Sequence, residues 1–124
     1  MPKGAYCLII KNNKNRKLRI GSLGNVLFKK GYYCYVGSAL NNLEKRIERH
    51  KRRNKKIKWH IDYFLKYGKI MNVIKIETNK KIECLLSKKI MKISNGFVKG
   101  FGCSDCKCKS HLYYFKNKQK IDHL

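Results

Sequence analysis

Acidic side chains are scarce in this chain: seven Asp and Glu stand against thirty-one Lys and Arg over 124 residues, a net charge of +24. So little negative charge argues against a cationic partner and for a polyanion, because each phosphate contact releases condensed counterions and adds sequence-independent affinity. The competing reading is a general lysine bias, which the many Ile and Asn residues also fit. Proline occurs once, at Pro2, outside every expected element. No apolar run approaches the roughly 18 residues of a membrane span. "AYCLII", after "MPKG", is too short for the apolar part of a secretory signal. We therefore expect an intracellular, cytoplasmic protein whose six cysteines are mostly reduced, neither a secreted disulfide framework nor a membrane protein. No repeat or low-complexity tract appears, and no obligate protein partner is evident. Apolar residues make up 43%, enough for a packed core, and the length suits one domain over residues 1–124.

Hydrophobic periodicity supplies a coarse order of elements. "GAYCLIIK" (4–11) reads as a strand, "NNKNR" as a turn and "KLRIG" (17–21) as a returning strand. "NVLF" (25–28) and "GYYCYVG" (31–37) read as a hairpin across "KKG". The period then lengthens to that of a helix, capped by Asn41 or Asn42 and running to about Arg53. "IKWHIDYFLKYG" (57–68) is expected to form a second helix closed by Gly68, "IMNVIKIET" (70–78) a strand, and "KIECLLSKKIMKI" (81–93) a third helix. The tail "GFGCSDCKCKSHLYYF" (100–115) reads as a loop followed by an aromatic strand. The expected fold class is α+β: a small, mainly antiparallel central sheet flanked by about three helices.

Helical geometry gathers the reactive side chains. Leu43, Arg46, Ile47 and His50 fall within an arc of roughly 100°, whereas Lys45 and Arg49 point elsewhere. An arginine beside an apolar stripe is costly unless an anion or good hydrogen bonds meet it. Glu83 sits about 20° around from Ile90, at the edge of the buried stripe of its helix. A tyrosine strand, an arginine, a histidine and a rare carboxylate thus converge on one candidate site.

These residues resemble the GIY-YIG nuclease family. Its first half-motif stands here as Gly4-Ala5-Tyr6 and its second as Tyr35-Val36-Gly37, while "YVGSALNNLEKR" is similar to the strand–turn–helix of bacterial excision-repair incision subunits. The family arginine falls on Arg46, the histidine spacing on His50, and the metal-binding glutamate on Glu83 in "ECLL". "GYYCYVGSA", "WHIDY" and "GFGCSDCKCKSHL" also resemble an uncharacterised branch of the same superfamily, over nearly the whole chain. Two departures stand out. Ala5 replaces the middle isoleucine, and the half-motifs lie far apart, so "KLRIGSLGNVLF" must form an inserted hairpin or extra strands.

The resemblance implies metal-dependent phosphodiester hydrolysis. Glu83 would hold one Mg²⁺ or Mn²⁺, which as a hard cation keeps several waters. Tyr6 or Tyr35 would orient or deprotonate the attacking water, helped by nearby cations that favour phenolate. Arg46 would grip the scissile phosphate with its planar fork. His50 would hold a phosphate oxygen or protonate the leaving group. Gly37 would let the backbone approach the phosphate; Ser38, Arg49, Lys51, Arg52 and Arg53 are the further expected nucleic-acid contacts. Taken singly, each residue has a bland reading: tyrosines in a strand core, a snorkelling arginine, a helix-start carboxylate suited to the dipole. Their combination at family spacing favours the site.

Four residues form a second tier. His60 projects with Ile57, Ile61 and Phe64 and reads first as a hydrogen-bonded core histidine. Asp62 is its unassigned neighbour, and Trp59 with Tyr63 forms an aromatic face for the sheet or for a splayed base. The branch resemblance places Asp105 and His111 beside the catalytic face. Cys103, Cys106, Cys108 and His111 would give zinc four ligands, but the cluster lacks a distant second cysteine pair, and the tight C-x-C step makes the geometry awkward. Reducing or buried thiols are favoured there. Cys7, Cys34 and Cys84 read as small core residues. The function expected is a structure-selective endonuclease acting on DNA rather than RNA. The rivals are a non-catalytic nucleic-acid-binding module of the same fold and a zinc-stabilised interaction protein.

Overall fold

The computed structural model describes residues 3–39, 41–102 and 110–121. The expected zinc ligands Cys103, Cys106 and Cys108, and with them Asp105, lie outside the described residues. The fold is α+β. Five strands form one antiparallel sheet: β1 (Gly4–Asn12), β4 (Gly31–Ala39), β5 (Lys69–Glu77), β6 (Gly96–Phe97) and β7 (Leu112–Phe115), in the order β5-β1-β4-β7-β6. β2 (Arg16–Arg19) and β3 (Asn25–Phe28) pair with each other as the inserted hairpin, joined by a 3₁₀ turn at Gly21–Leu23. The expected hairpin of "NVLF" with "GYYCYVG" is thereby corrected: both edges of β4 are taken, by β1 and β7, and β3 turns back onto β2 instead. The helices are α1 (Leu43–Lys51), α2 (His60–Phe64), α3 (Glu83–Ile93) and α4 (Lys118–Ile121). None of the described helices is long and apolar enough to cross a membrane.

β1 is apolar without alternation because both of its faces are covered. On one face Tyr6, Leu8 and Ile10 pack with Tyr33 and Tyr35 of β4 beneath Leu43 and Ile47 of α1 and Ile61 and Phe64 of α2. On the other, Cys7, Ile9, Cys34 and Val36 pack with Ile90 of α3 and Ile121 of α4. The hairpin belongs to the first core: Ile20 and Phe28 are fully buried, and Phe28 stacks on Phe64 with ring centroids 4.6 Å apart.

Two helices are shorter than their periodicity predicts. α1 stops at Lys51 instead of running to about Arg53, because the Lys55 ammonium reaches back to the carbonyls of Arg49 (3.2 Å) and His50 (2.7 Å) and Arg52 turns extended. The segment expected to be helical over 57–68 is helical only over His60–Phe64. Its start is set by Asp62, whose buried carboxylate accepts from the amides of Lys58 and Trp59, each at 2.9 Å, and holds Trp59 extended. Its end is a turn in which the amides of Tyr67 and Gly68 both donate to the Phe64 carbonyl. β6 and α4 are too short to register in the hydrophobic pattern.

Candidate active site

The two half-motifs meet despite the insertion between them. β1 and β4 are neighbours in a register that sets Tyr6 opposite Gly37 and Leu8 opposite Tyr35, so both tyrosines rise from the same sheet face with centroids 6.5 Å apart. Gly37 serves that meeting more directly than it serves a phosphate. A Cβ there would lie 2.5 Å from the Tyr6 hydroxyl oxygen, so the missing side chain is the space the phenol ring occupies.

Behind Tyr6 stands His50. The Tyr6 hydroxyl and His50 Nε2 are 2.5 Å apart, and His50 Nδ1 is a buried polar atom without a partner among the described residues. Burial, reinforced by the Lys55 charge, lowers the imidazole pKa to about 3, so His50 is neutral at physiological pH. Burial also pushes the Tyr6 hydroxyl well above its ordinary value, although the adjacent Arg46 guanidinium pulls the other way. Tyr35 is raised in the same direction, by burial and then by Tyr6. The expectation that surrounding cations favour phenolate is therefore corrected: desolvation outweighs them at both tyrosines. His50 is likewise corrected as an acid for the leaving group, since it is neutral, only 2% exposed, and placed behind Tyr6.

Arg46 leaves α1 toward the cleft. One guanidinium nitrogen donates to the Ser38 carbonyl at 3.2 Å, and its flat face lies 4.6 Å from the centre of the Trp59 ring. Arg49 lies 4.2 Å from the same ring, and both its terminal nitrogens grip Asp62, at 3.0 and 2.9 Å. Asp62 is fully buried. Burial alone would raise its carboxyl, but the Arg49 hydrogen bonds and the two backbone amides together hold it below its ordinary value. This is a correction for two residues. Arg49 is committed to a structural pair, and Asp62 positions Trp59 and Arg49 without facing the cleft.

Glu83 comes from the far side, at the first turn of α3. Ser38 Oγ donates to Glu83 Oε2 at 3.0 Å, and His111 Nδ1 lies 3.7 Å from Oε1 while 3.0 Å from Ser87 Oγ. Burial lowers the His111 pKa, with Glu83 opposing that shift. His60 stands on the opposite wall, half-buried and not part of the closed core. Its Nδ1 accepts from the Gly102 amide at 2.9 Å, which leaves the proton on Nε2; burial lowers its pKa too.

Together these groups enclose a cleft of about 400 Å³ lined by Tyr6, Tyr35, Arg46, Glu83, His60 and His111, with Gly37 and Ser38 in its floor. Trp59, expected as an aromatic face for the sheet or a splayed base, also lines the cleft, as do Lys58 and Gly102, which were not among the sequence candidates. "WHIDY" holds the signal for Trp59, but only the Asp62 anchor, which takes the amides of Lys58 and Trp59, shows how this segment is turned. Lys51, Arg52 and Arg53 lie on the exposed side of α1's end, around a smaller cavity. Of the core cysteines, Cys7 and Cys34 are buried, and the hydrogen bond between the two and then burial raise the Cys34 thiol; Cys84 is only half-buried.

Glu83 is the only carboxylate among the described lining residues, and no cluster of three or more metal-binding side chains occurs among the described residues. One half-exposed carboxylate beside a polar cleft fits a hard divalent cation that keeps most of its water. The fold and site thus define a class: an α+β domain whose antiparallel sheet carries a tyrosine, arginine and carboxylate cleft on a strongly basic chain. Residues 5–124 match the family described as domain of unknown function DUF123, and the chain belongs to that family. No curated protein and no solved structure matches it.

Proposed function

We propose that this chain is a nuclease of the GIY-YIG type, hydrolysing phosphodiester bonds in branched or unpaired DNA in preference to RNA. The observation that carries the reading is Glu83. In a chain with seven acidic residues, one of them faces a cleft it shares with Arg46 and two tyrosines, where a pure polyanion binder gains nothing from negative charge.

In this reading Arg46 grips the scissile phosphate, its guanidinium held flat by Trp59 and the Ser38 carbonyl. Bound Mg²⁺ or Mn²⁺ at Glu83 would supply electrophilic help for the phosphorane-like transition state. Tyr6 acts as a neutral relay: its oxygen takes a proton from the attacking water while its own proton passes to His50 Nε2, so no free phenolate forms. The leaving oxygen is served from the cleft wall by Lys58.

The second reading, a non-catalytic nucleic-acid module, is favoured by one specific observation: burial keeps both cleft tyrosines protonated and leaves His50 a weak base. Labelled branched, single-stranded and duplex DNA and RNA, incubated with Mg²⁺, Mn²⁺ or EDTA, separate the two. Cleavage that requires metal and disappears in Glu83→Gln is the expected result. Tight, salt-sensitive binding without cleavage of any substrate would select the binding module.

A further inference from the structure

A second cavity, of about 510 Å³, opens on the other side of the Ser38–Glu83 wall; these two residues line both spaces. The two cavities differ in chemistry. The apolar part of the second's lining is Ala5, Ala39, Ile82 and Cys84, beside Thr78 and Asn79. Its mouth is cationic, with Lys80 and Lys81 exposed on one side and Lys3 on the other. A cavity of this size is within the range that holds a small organic group, about 300–1,000 Å³. A hydrophobic recess with a lysine mouth matches a nucleotide unit, whose base is flat and largely apolar on its faces and whose phosphate is an anion.

We propose that this recess receives one unpaired nucleotide adjoining the scissile phosphate, with its base against Ala5, Ala39, Ile82 and Cys84 and its phosphate on Lys80 and Lys81. The inference rests on the nuclease reading and names the substrate feature that such a site selects. A strand crossing the Ser38–Glu83 wall with its reacting phosphate at Arg46 places the next residue at this opening. A base stacked and paired in a duplex cannot enter a recess; it must leave its stack, at an energy lowest where it is already unpaired. Bulges, flaps and single strands are therefore preferred over continuous duplex. No aromatic ring lines the recess among the described residues, so selection is by access and not by stacking strength.

Cys84 reports on the recess directly, because this half-buried residue is part of the lining. The full chain is treated with N-ethylmaleimide in EDTA, and modification at Cys84 is followed by peptide mapping. Three conditions are compared: free protein, a blunt duplex, and the same duplex with a single-nucleotide bulge. With each DNA at about ten times its Kd, the bulged duplex should slow alkylation of Cys84 about tenfold, while the blunt duplex leaves it near the free rate. In parallel, a Lys80→Ser/Lys81→Ser double variant should lose the preference for bulged over blunt DNA while keeping its blunt-duplex affinity to within a few fold, since two of thirty-one cationic side chains are removed. Equal protection by both DNAs, no protection by either, or an unchanged preference in the double variant would overturn the recess assignment alone. Failure to bind any nucleic acid would overturn the nuclease reading with it.

Discussion

Gly37 and His50 show how much of the site rests on single atoms. Gly37→Ala adds a methyl group into space held by the Tyr6 ring. Displacing that ring should cost about 1–3 kcal/mol in urea unfolding and should depress cleavage, because the Tyr6–His50 hydrogen bond is lost with it. A Gly37→Ala protein as stable and active as the parent would mean that Tyr6 is not held by this contact. His50 makes stability depend on pH. Its pKa falls from the ordinary 6.5 to about 3 on folding, so between those values the unfolded chain holds a proton that the folded chain lacks. Stability is therefore full above pH 6.5 and declines as pH drops, by roughly 1.4 kcal/mol per pH unit for each such group. His60 and His111 are shifted in the same direction and steepen the decline. Denaturant titrations at pH 7.5, 6 and 5 should show it, with His50→Gln shallower than the parent. If the chain is the proposed nuclease, Arg46→Ala should reduce turnover by about 10²–10³-fold with little change in affinity, read from single-turnover rates beside equilibrium binding.

At the level of elements, α2 is the informative failure of periodicity. Ile57, Ile61 and Phe64 lie at helical spacing, which predicts a helix over 57–68, yet the chain is helical only over His60–Phe64. Periodicity reports which side chains are buried together and is blind to a carboxylate that captures two backbone amides. Asp62→Ala removes that anchor and strands the Arg49 charge. The expected loss is about 3–5 kcal/mol, together with a change in Trp59 fluorescence as the Arg49 and Arg46 guanidinium groups leave its faces. An Asp62→Ala variant with parental stability and emission would contradict this role. The inserted hairpin teaches the converse. It was legible as two strands from "KLRIG" and "NVLF", but nothing in those strings shows that Ile20 and Phe28 complete the core under α2. Cutting the hairpin out should unfold the domain, not shorten it.

For the molecule as a whole, charge and cleft answer different questions. A net charge of +24 spread over the surface predicts affinity that falls steeply with salt, roughly a thousandfold between 50 and 200 mM if six phosphates are contacted. That slope should persist almost unchanged in Glu83→Gln, because the cleft carries a small share of the charge. The sequence by itself determined the fold class and most strand positions, and it named the candidate site residues that the cleft brings together. Those depend on local periodicity, on composition and on motif spacing, all readable along a single chain. Only the tertiary structure decided what state those groups are in. Desolvation, a property of everything packed around an atom, keeps Tyr6 protonated and His50 neutral. Long-range neighbours commit Arg49 to Asp62 and give Gly37 to the ring of Tyr6, because strand register and a helix-start anchor bring together residues that no sequence spacing relates.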